Sequence, residues 1–512
     1  MILKKLLDTN IEQYGEYPLL YFNDKQYSNV ETKRYADYIA NGLSDLGIEH
    51  GDRVMVCMPN CPEVLFSYQG ITRAGAIIVP IMYMLHPKEI YFIALNSGIK
   101  AVITTSHILP NVEKALEGLP TKPVVILADM PTNERAYNLY DIMKKEGNLA
   151  KKAIKPDDTA IILYTSGTTG NPKGVLLTHK NLYSNAENSI KHNETERGTT
   201  IGVLPLAHVY GLTISNICYL TGSSIVVFSK FDPKALFEAI EKYQVKSFSA
   251  VPAMIHAILA YPEADKYDTS SLESVGSGSA PLPLALLHAF EQKFGAVILE
   301  GYGLSEAAPI VTAHLKGQPV KPGSVGLPIP GVKLKIVDQN GDELPTGEVG
   351  ELIVHGDNVT PGYFQNEEET KRALKEKWLF TGDMGRIDED GYLYIVDRKK
   401  DLIIRGGFNI YPRDVEELLS THEQVSEVAV VGVPDERMGE EMVVCVVKKP
   451  NATISEEELI QYCQNHLAKN KTPKKVLFLE ALPRNGVGKI LKTHLRKTAS
   501  EVFTHSINET PS

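Results

Sequence analysis

Short apolar runs of strand length alternate with amphipathic stretches through most of the chain. Residues 54–58, 76–81, 101–104, 124–127 and 161–164 read as buried strands, and 35–46, 62–74 and 233–243 read as helices with one apolar face. Such alternation predicts parallel sheets covered by helices. Near Gly331 the texture changes to short alternating strands, 332–338, 350–355 and 391–397, separated by turns such as Asn340-Gly341-Asp342. This predicts a small antiparallel, β-barrel-like subdomain. The charged run Arg398-Lys399-Lys400-Asp401 then leads into about a hundred residues with their own α/β pattern.

The expected fold class is therefore α/β. A large N-terminal domain spans 1–397 and includes the β subdomain at about 331–397. A hinge follows at 398–402, then a small, mobile C-terminal α+β domain at 403–512. The polar residues after Thr498 are expected to fray.

One stretch raises the membrane question. Residues 198–229 contain no Asp, Glu, Lys or Arg, which is long enough to span a bilayer. They do contain Pro205, His208, Asn216 and several hydroxyls, groups that are costly in hydrocarbon. The stretch is read as a buried strand, loop, helix and strand. The N-terminus turns polar at Lys4-Lys5, too early for a secretory signal.

Charge narrows the partners. With 53 basic against 63 acidic residues the net charge is -10, which argues against broad nucleic-acid binding. The five cysteines, Cys57, Cys61, Cys218, Cys445 and Cys463, contain no C-x-x-C pair. They read as buried thiols of a cytoplasmic protein rather than as a disulfide or zinc framework. The sequence leaves monomer and homodimer both open.

The strongest local signal is Tyr164-Thr165-Ser166-Gly167-Thr168-Thr169-Gly170-Asn171-Pro172-Lys173-Gly174, between a strand and a helix expected near Lys180. Glycines let backbone approach phosphate oxygens, hydroxyls and N–H groups donate to them, and a lysine adds charge. The Walker A spacing is absent. Further stretches stand out: Ser277-Gly278-Ser279-Ala280-Pro281, Glu300-Gly301-Tyr302-Gly303-Leu304-Ser305-Glu306, 378–383 ending in Asp383, 397–401, and 483–489 ending in Lys489. Taken singly each has a plain reading. The first is a surface turn, Glu306 a helix-start acid, 397–401 a solvated linker, and Lys489 a surface lysine.

Together, in this order, they resemble the signatures of the adenylate-forming superfamily, which contains acyl-CoA synthetases, luciferases and peptide-synthetase adenylation domains. The resemblance runs from about residue 10 to 497. It implies that ATP phosphates are held by Thr165, Ser166, Gly167, Thr168, Thr169, Gly170 and Lys173. It places the adenine near Ser279, Ala280, Glu300, Gly301 and Tyr302, the α-phosphate at Ser305, Mg²⁺ on Glu306, and the ribose at Asp383 with Arg398. Ser305 stands where the family usually has Thr, and Val487 where it more often has Ser or Thr. Lys489 falls on the adenylation lysine and Lys400 on the hinge. Gly406, Gly407 and Asn409 line the path of the coenzyme A thiol arm.

Leu204-Pro205-Leu206-Ala207-His208-Val209-Tyr210-Gly211 resembles the segment carrying the gate of the acyl tunnel, with His208 at the gate. A satisfied core histidine is the plain reading of His208. By the same resemblance the acyl pocket takes in His208, Val209, Gly211, Val251 and Gly303.

The resemblance implies an acid–thiol ligase in which Lys489, Glu306, Thr165 and His208 act in two half-reactions. A carboxylic acid reacts with ATP to give an acyl adenylate and pyrophosphate, and coenzyme A then displaces AMP. Malonate-using relatives carry Arg where this chain has Gly301. The pocket segments 208–215, 250–254 and 303–311, in which Glu306 is the one acidic or basic residue apart from His208, suit an alkyl or aryl tail. The texture is most similar to bacterial medium- or long-chain fatty acid–CoA ligases. The alternatives are an aryl or cinnamate-type acid, a carrier protein as acceptor, and a luciferase-like oxygenase. A catalytically dead adenylate-binding module would be expected to lack Lys489 or Glu306. At most, peripheral membrane contact is expected.

Overall fold

The apolar runs form strands that are covered on both faces, which is why they read as continuous rather than alternating. A computed structural model describes residues 1–145, 153–165, 172–278, 280, 282–484 and 490–508. The chain divides into two units, one of Met1–Leu334 with Val354–Phe380, the other of Lys335–Ile353 with Thr381–Ser512.

The first unit holds two large sheets. In one, seven strands run in the order Tyr137–Asn138, Val124–Leu127, Ala101–Thr104, Arg53–Cys57, Ile77–Pro80, Thr159–Thr165, Lys173–Thr178. Its pairings are parallel except for the last, where Thr159–Thr165 and Lys173–Thr178 are antiparallel. The strand Lys173–Thr178 was not foreseen; the expected helix follows it, at His179–Asn193. Chemistry-bearing residues at its start mask the short apolar run 175–177.

The nine-stranded sheet has a parallel centre built from Val297–Gly303, Ser274–Ser277, Ser247–Ala250, Thr199–Gly202 and Ser224–Val227. The charge-free stretch supplies two of these strands with the helix Val209–Thr221 between them. Leu212, Ile214 and Cys218 of that helix pack into the same core as Leu163 and Leu177. Among the described residues no helix is long and apolar enough to cross a membrane.

Helix starts follow local chemistry. Ser28 and Glu31 form a reciprocal cap on Asn29–Asp45, and Asp232 caps Pro233–Tyr243, whose first residue is proline.

In the second unit, Val425–Asp435 and Gly439–Lys448 form a long antiparallel pair, with Lys475–Phe478 added in parallel. Alternate residues serve two cores: Val430 joins Leu419 and Leu459 on one face, while Val431 and Val433 meet Leu495, Ala499 and Phe503 on the other. This corrects the expected fraying after Thr498. The helix Lys492–Asn508 continues beyond it because Leu495, Ala499 and Phe503 recur every four residues and are buried. All five cysteines are free thiols, four of them buried.

Candidate active site

At the end of the seven-stranded sheet Thr165 faces Lys173 across the antiparallel pair, and Tyr164 faces Gly174. Ser166, Gly167, Thr168, Thr169 and Gly170 lie outside the described residues. The backbone of 362–364 runs beside this hairpin: Leu176 N–H donates to Gly362 O at 3.0 Å and Phe364 N–H to Gly174 O at 2.7 Å. That contact carries Tyr363 and the helix Glu367–Ala373 to Lys173. The Lys173 ammonium lies 2.6 Å from Glu369 Oε1 and 5.9 Å from the centre of the Tyr363 ring.

Glu306 sits in the one-turn 3-10 segment Ser305–Ala307, directly after the strand Val297–Gly303. Its Oε1 accepts from the Tyr363 hydroxyl at 2.9 Å, and its backbone carbonyl accepts from Thr360 N–H at 2.8 Å. Burial, reinforced by the Glu306 carboxylate, pushes the Tyr363 phenol well above its usual range, so it stays a donor. Asn185 and Asn358 donate to the Ala307 carbonyl at 3.3 and 2.8 Å, which fixes the chain just past Glu306.

The residues before Glu306 are set by strand pairing. Gly301 faces Ala313, and Tyr302 faces Thr312 and is half-buried. Gly303 lies so close to the returning chain that a Cβ would fall 2.3 Å from the Pro309 carbonyl oxygen. Glu300 is buried, and its carboxylate accepts from Leu282 N–H at 3.4 Å, bracing the segment that holds Ala280. Ser279 lies outside the described residues; Ala280 is exposed.

His208 caps the helix Val209–Thr221, its Nδ1 accepting from Tyr210 N–H at 3.2 Å. It lines a small apolar cavity with Val209, Leu212, Tyr68, Ile161 and Leu163. Gly211 is buried in the same helix, and Val251 is half-buried at the start of Pro252–Leu259. Tyr210 reaches from the helix to the strand tips, donating to Ser249 Oγ at 3.0 Å beside Gly276 and Gly278.

In the second unit Asp383 is buried and faces Arg398 across an antiparallel pair, with Arg398 Nε 3.5 Å from Asp383 Oδ1. Lys399 pairs with Glu351 at 2.7 Å, while Lys400 is exposed. Asp397 accepts from Arg398 N–H at 2.7 Å and Arg413 N–H at 3.0 Å. Gly406 and Gly407, with φ of 58° and 83°, turn the chain between Ile403–Arg405 and Phe408–Ile410. These left-handed values favour glycine. Ile404, Phe408 and Asn409 around this turn are exposed. Lys489 lies outside the described residues.

The sequence matches the AMP-binding enzyme family over residues 7–364 and the C-terminal domain of AMP-binding enzymes over 414–489. The chain belongs to the AMP-binding enzyme family. It is 36% identical to a long-chain-fatty-acid–CoA ligase of Bacillus subtilis, across 98% of this chain and 95% of that one. It is also 36% identical to 4-coumarate–CoA ligase 1 of Solanum tuberosum, across 95% and 92%. Among solved structures, ATP-bound MatB from Rhodopseudomonas palustris superposes with a TM-score of 0.90 at 31% identity, covering 98% of this chain and all of that one. Within the AMP-binding enzymes the chain falls with the AMP-forming acyl-CoA synthetases of the adenylate-forming superfamily.

For this AMP-binding enzyme, the structure brings Thr165, Lys173 and Glu306 into one neighbourhood of the first unit, and Asp383 against Arg398 in the second. Sequence reading missed Tyr363 and Glu369, the residues that contact Glu306 and Lys173. The available signal was Pro361-Gly362-Tyr363 ahead of an acidic helix start, which has no motif spacing of its own.

Proposed function

We propose that the protein joins a fatty acid to coenzyme A through an acyl adenylate, releasing pyrophosphate and then AMP. The observation that carries this reading is the convergence of Lys173 and Glu306 on Tyr363, which sets a cation and a carboxylate around one phenol at the end of a parallel sheet. In the first step a carboxylate oxygen attacks the α-phosphorus of ATP, and the bond to the pyrophosphate oxygen breaks. Lys173 neutralises the departing charge, Thr165 hydrogen-bonds to the phosphate oxygens, Ser305 binds the α-phosphate, and Tyr302 supports the adenine. Such a site works by positioning and electrostatics, with no covalent nucleophile.

A half-buried carboxylate oriented by one phenolic donor is a hard oxygen ligand that suits Mg²⁺, so Glu306 would hold it. When bound, Mg²⁺ supplies charge neutralisation to the phosphates. In this reading Asp383 and Arg398 hold the ribose, and Lys489 is the adenylation lysine.

In the second step the coenzyme A thiol sulfur attacks the acyl carbonyl and the C–O bond to AMP breaks. The segment after Lys400 turns about this hinge, withdrawing Lys489 and presenting the Gly406–Gly407 turn to the thiol arm. ATP and coenzyme A as co-substrates, together with free thiols, favour the cytoplasm as the place of action.

An alkyl tail is favoured by the apolar side chains Val209 and Leu212 beside His208 and by the likeness to the Bacillus subtilis ligase. An aryl acid is the second reading, favoured by the equal identity to the potato 4-coumarate ligase. Competition between palmitate and 4-coumarate at equal concentration, with the thioesters identified by mass, tests the choice. Predominant palmitoyl-CoA supports the proposal, and predominant coumaroyl-CoA replaces the substrate while keeping the chemistry.

A further inference from the structure

The proposed role of Lys173 is to meet phosphate oxygens, yet its ammonium is engaged at 2.6 Å by Glu369 from a different segment of the chain. Both side chains are largely withdrawn from water, Lys173 at 15% and Glu369 at 16% exposure. In such a place, leaving either partner without the other is costly.

Glu369 has a second cation. Arg372, one turn along the same helix and 66% exposed, donates to Glu369 Oε1 at 2.7 Å. Burial raises the Glu369 carboxyl, but hydrogen bonds and charge from Lys173 and Arg372 outweigh it and hold the group below its usual range, so it is a carboxylate at neutral pH.

The arrangement has a consequence for exchange. If Lys173 turns to a phosphate oxygen, Glu369 keeps Arg372 and is not stranded. If the phosphate departs, Glu369 is still within reach of the lysine.

We infer that Glu369 is a positioning residue that competes with phosphate for Lys173, holding the lysine in place before ATP arrives and reclaiming it as pyrophosphate leaves. This rests on the reading of Lys173 as a phosphate ligand. Its signature is an opposite sign: removing the competitor tightens pyrophosphate, whereas damage to a merely structural pair weakens it. A state that sequesters the lysine lowers apparent affinity by the fraction of protein it occupies.

The experiment compares wild type with Glu369→Gln, Glu369→Ala and Glu369→Asp in acid-dependent ATP–pyrophosphate exchange, with melting temperatures taken to show folding. In Glu369→Gln the inhibition constant for pyrophosphate should fall about tenfold, the size expected for losing one charge-assisted hydrogen bond. KM for ATP should fall in parallel, and Glu369→Asp should stay near wild type. Glu369→Ala reads the same direction, so either folded variant decides. Pyrophosphate inhibition that is unchanged or weaker in a folded variant overturns the role given to Glu369. A wild type that shows no exchange with any acid instead overturns the ligase reading beneath it.

Discussion

The hydroxyl of Tyr363 donates a 2.9 Å hydrogen bond to Oε1 of Glu306, joining residues 57 positions apart in sequence. The phenol orients one oxygen of the carboxylate that the proposed mechanism assigns to Mg²⁺. Tyr363 is itself held by the pairing of 362–364 against the phosphate-side hairpin. Changes in that hairpin are thereby coupled to the orientation of Glu306.

Tyr363→Phe removes the donor and keeps the ring. A hydrogen bond to a charged group contributes about 1.5–3 kcal/mol, so the adenylation rate should fall about tenfold or more with the fold intact. Stopped-flow pyrophosphate release, alongside circular dichroism, measures both. A rate within twofold of wild type would show that Glu306 needs no help from the phenol.

Gly303→Ala tests the close approach in the second signature. Its new Cβ would meet the Pro309 carbonyl at 2.3 Å, and backbone cannot yield as a flexible side chain would. Overpacking of this kind costs about 1–3 kcal/mol. The melting temperature should drop, with loss of ATP binding because Ser305 and Glu306 follow directly. An unchanged melting curve would mean the strand shifts freely.

Tyr210 bridges the helix Val209–Thr221 and the strand tips at Ser249 and Gly276. Tyr210→Ala should move the preferred acid toward longer or bulkier tails, while Tyr210→Phe keeps the preference and loses only the bond to Ser249. kcat/KM across a series of acids separates the two outcomes.

His179 gives a pH test. It is buried, its Nδ1 accepts from Leu3 N–H at 3.3 Å, and burial pulls its pKa from 6.5 to about 4. The neutral ring belongs to the folded state. Its contribution is therefore fully present above pH 6.5 and is lost as pH falls toward 4, by about 3 kcal/mol in all. Urea unfolding should show a shallower loss over this window in His179→Gln than in wild type, and equal slopes would contradict the assignment.

Much of the architecture was legible because it depends on local pattern. The continuous runs at 101–104 and 124–127 became strands with those same ends, and the amphipathic stretch 233–243 became a helix with its expected ends. The strand Lys173–Thr178 was obscured because its first residues also carry the phosphate motif. Tyr363 and Glu369 were invisible for another reason: each acts through a partner far away in sequence, and neither residue type signals its use. The helix beyond Thr498 was misjudged because its polar face outweighed three buried residues spaced four apart.

The most direct test of the central claim is acid-dependent pyrophosphate release across acetate, octanoate, palmitate, benzoate and cinnamate, with and without coenzyme A. The account predicts the highest release among the alkyl acids, with AMP and thioester accumulating only when coenzyme A is present. Folded protein that binds ATP but releases no pyrophosphate with any of these acids would contradict it.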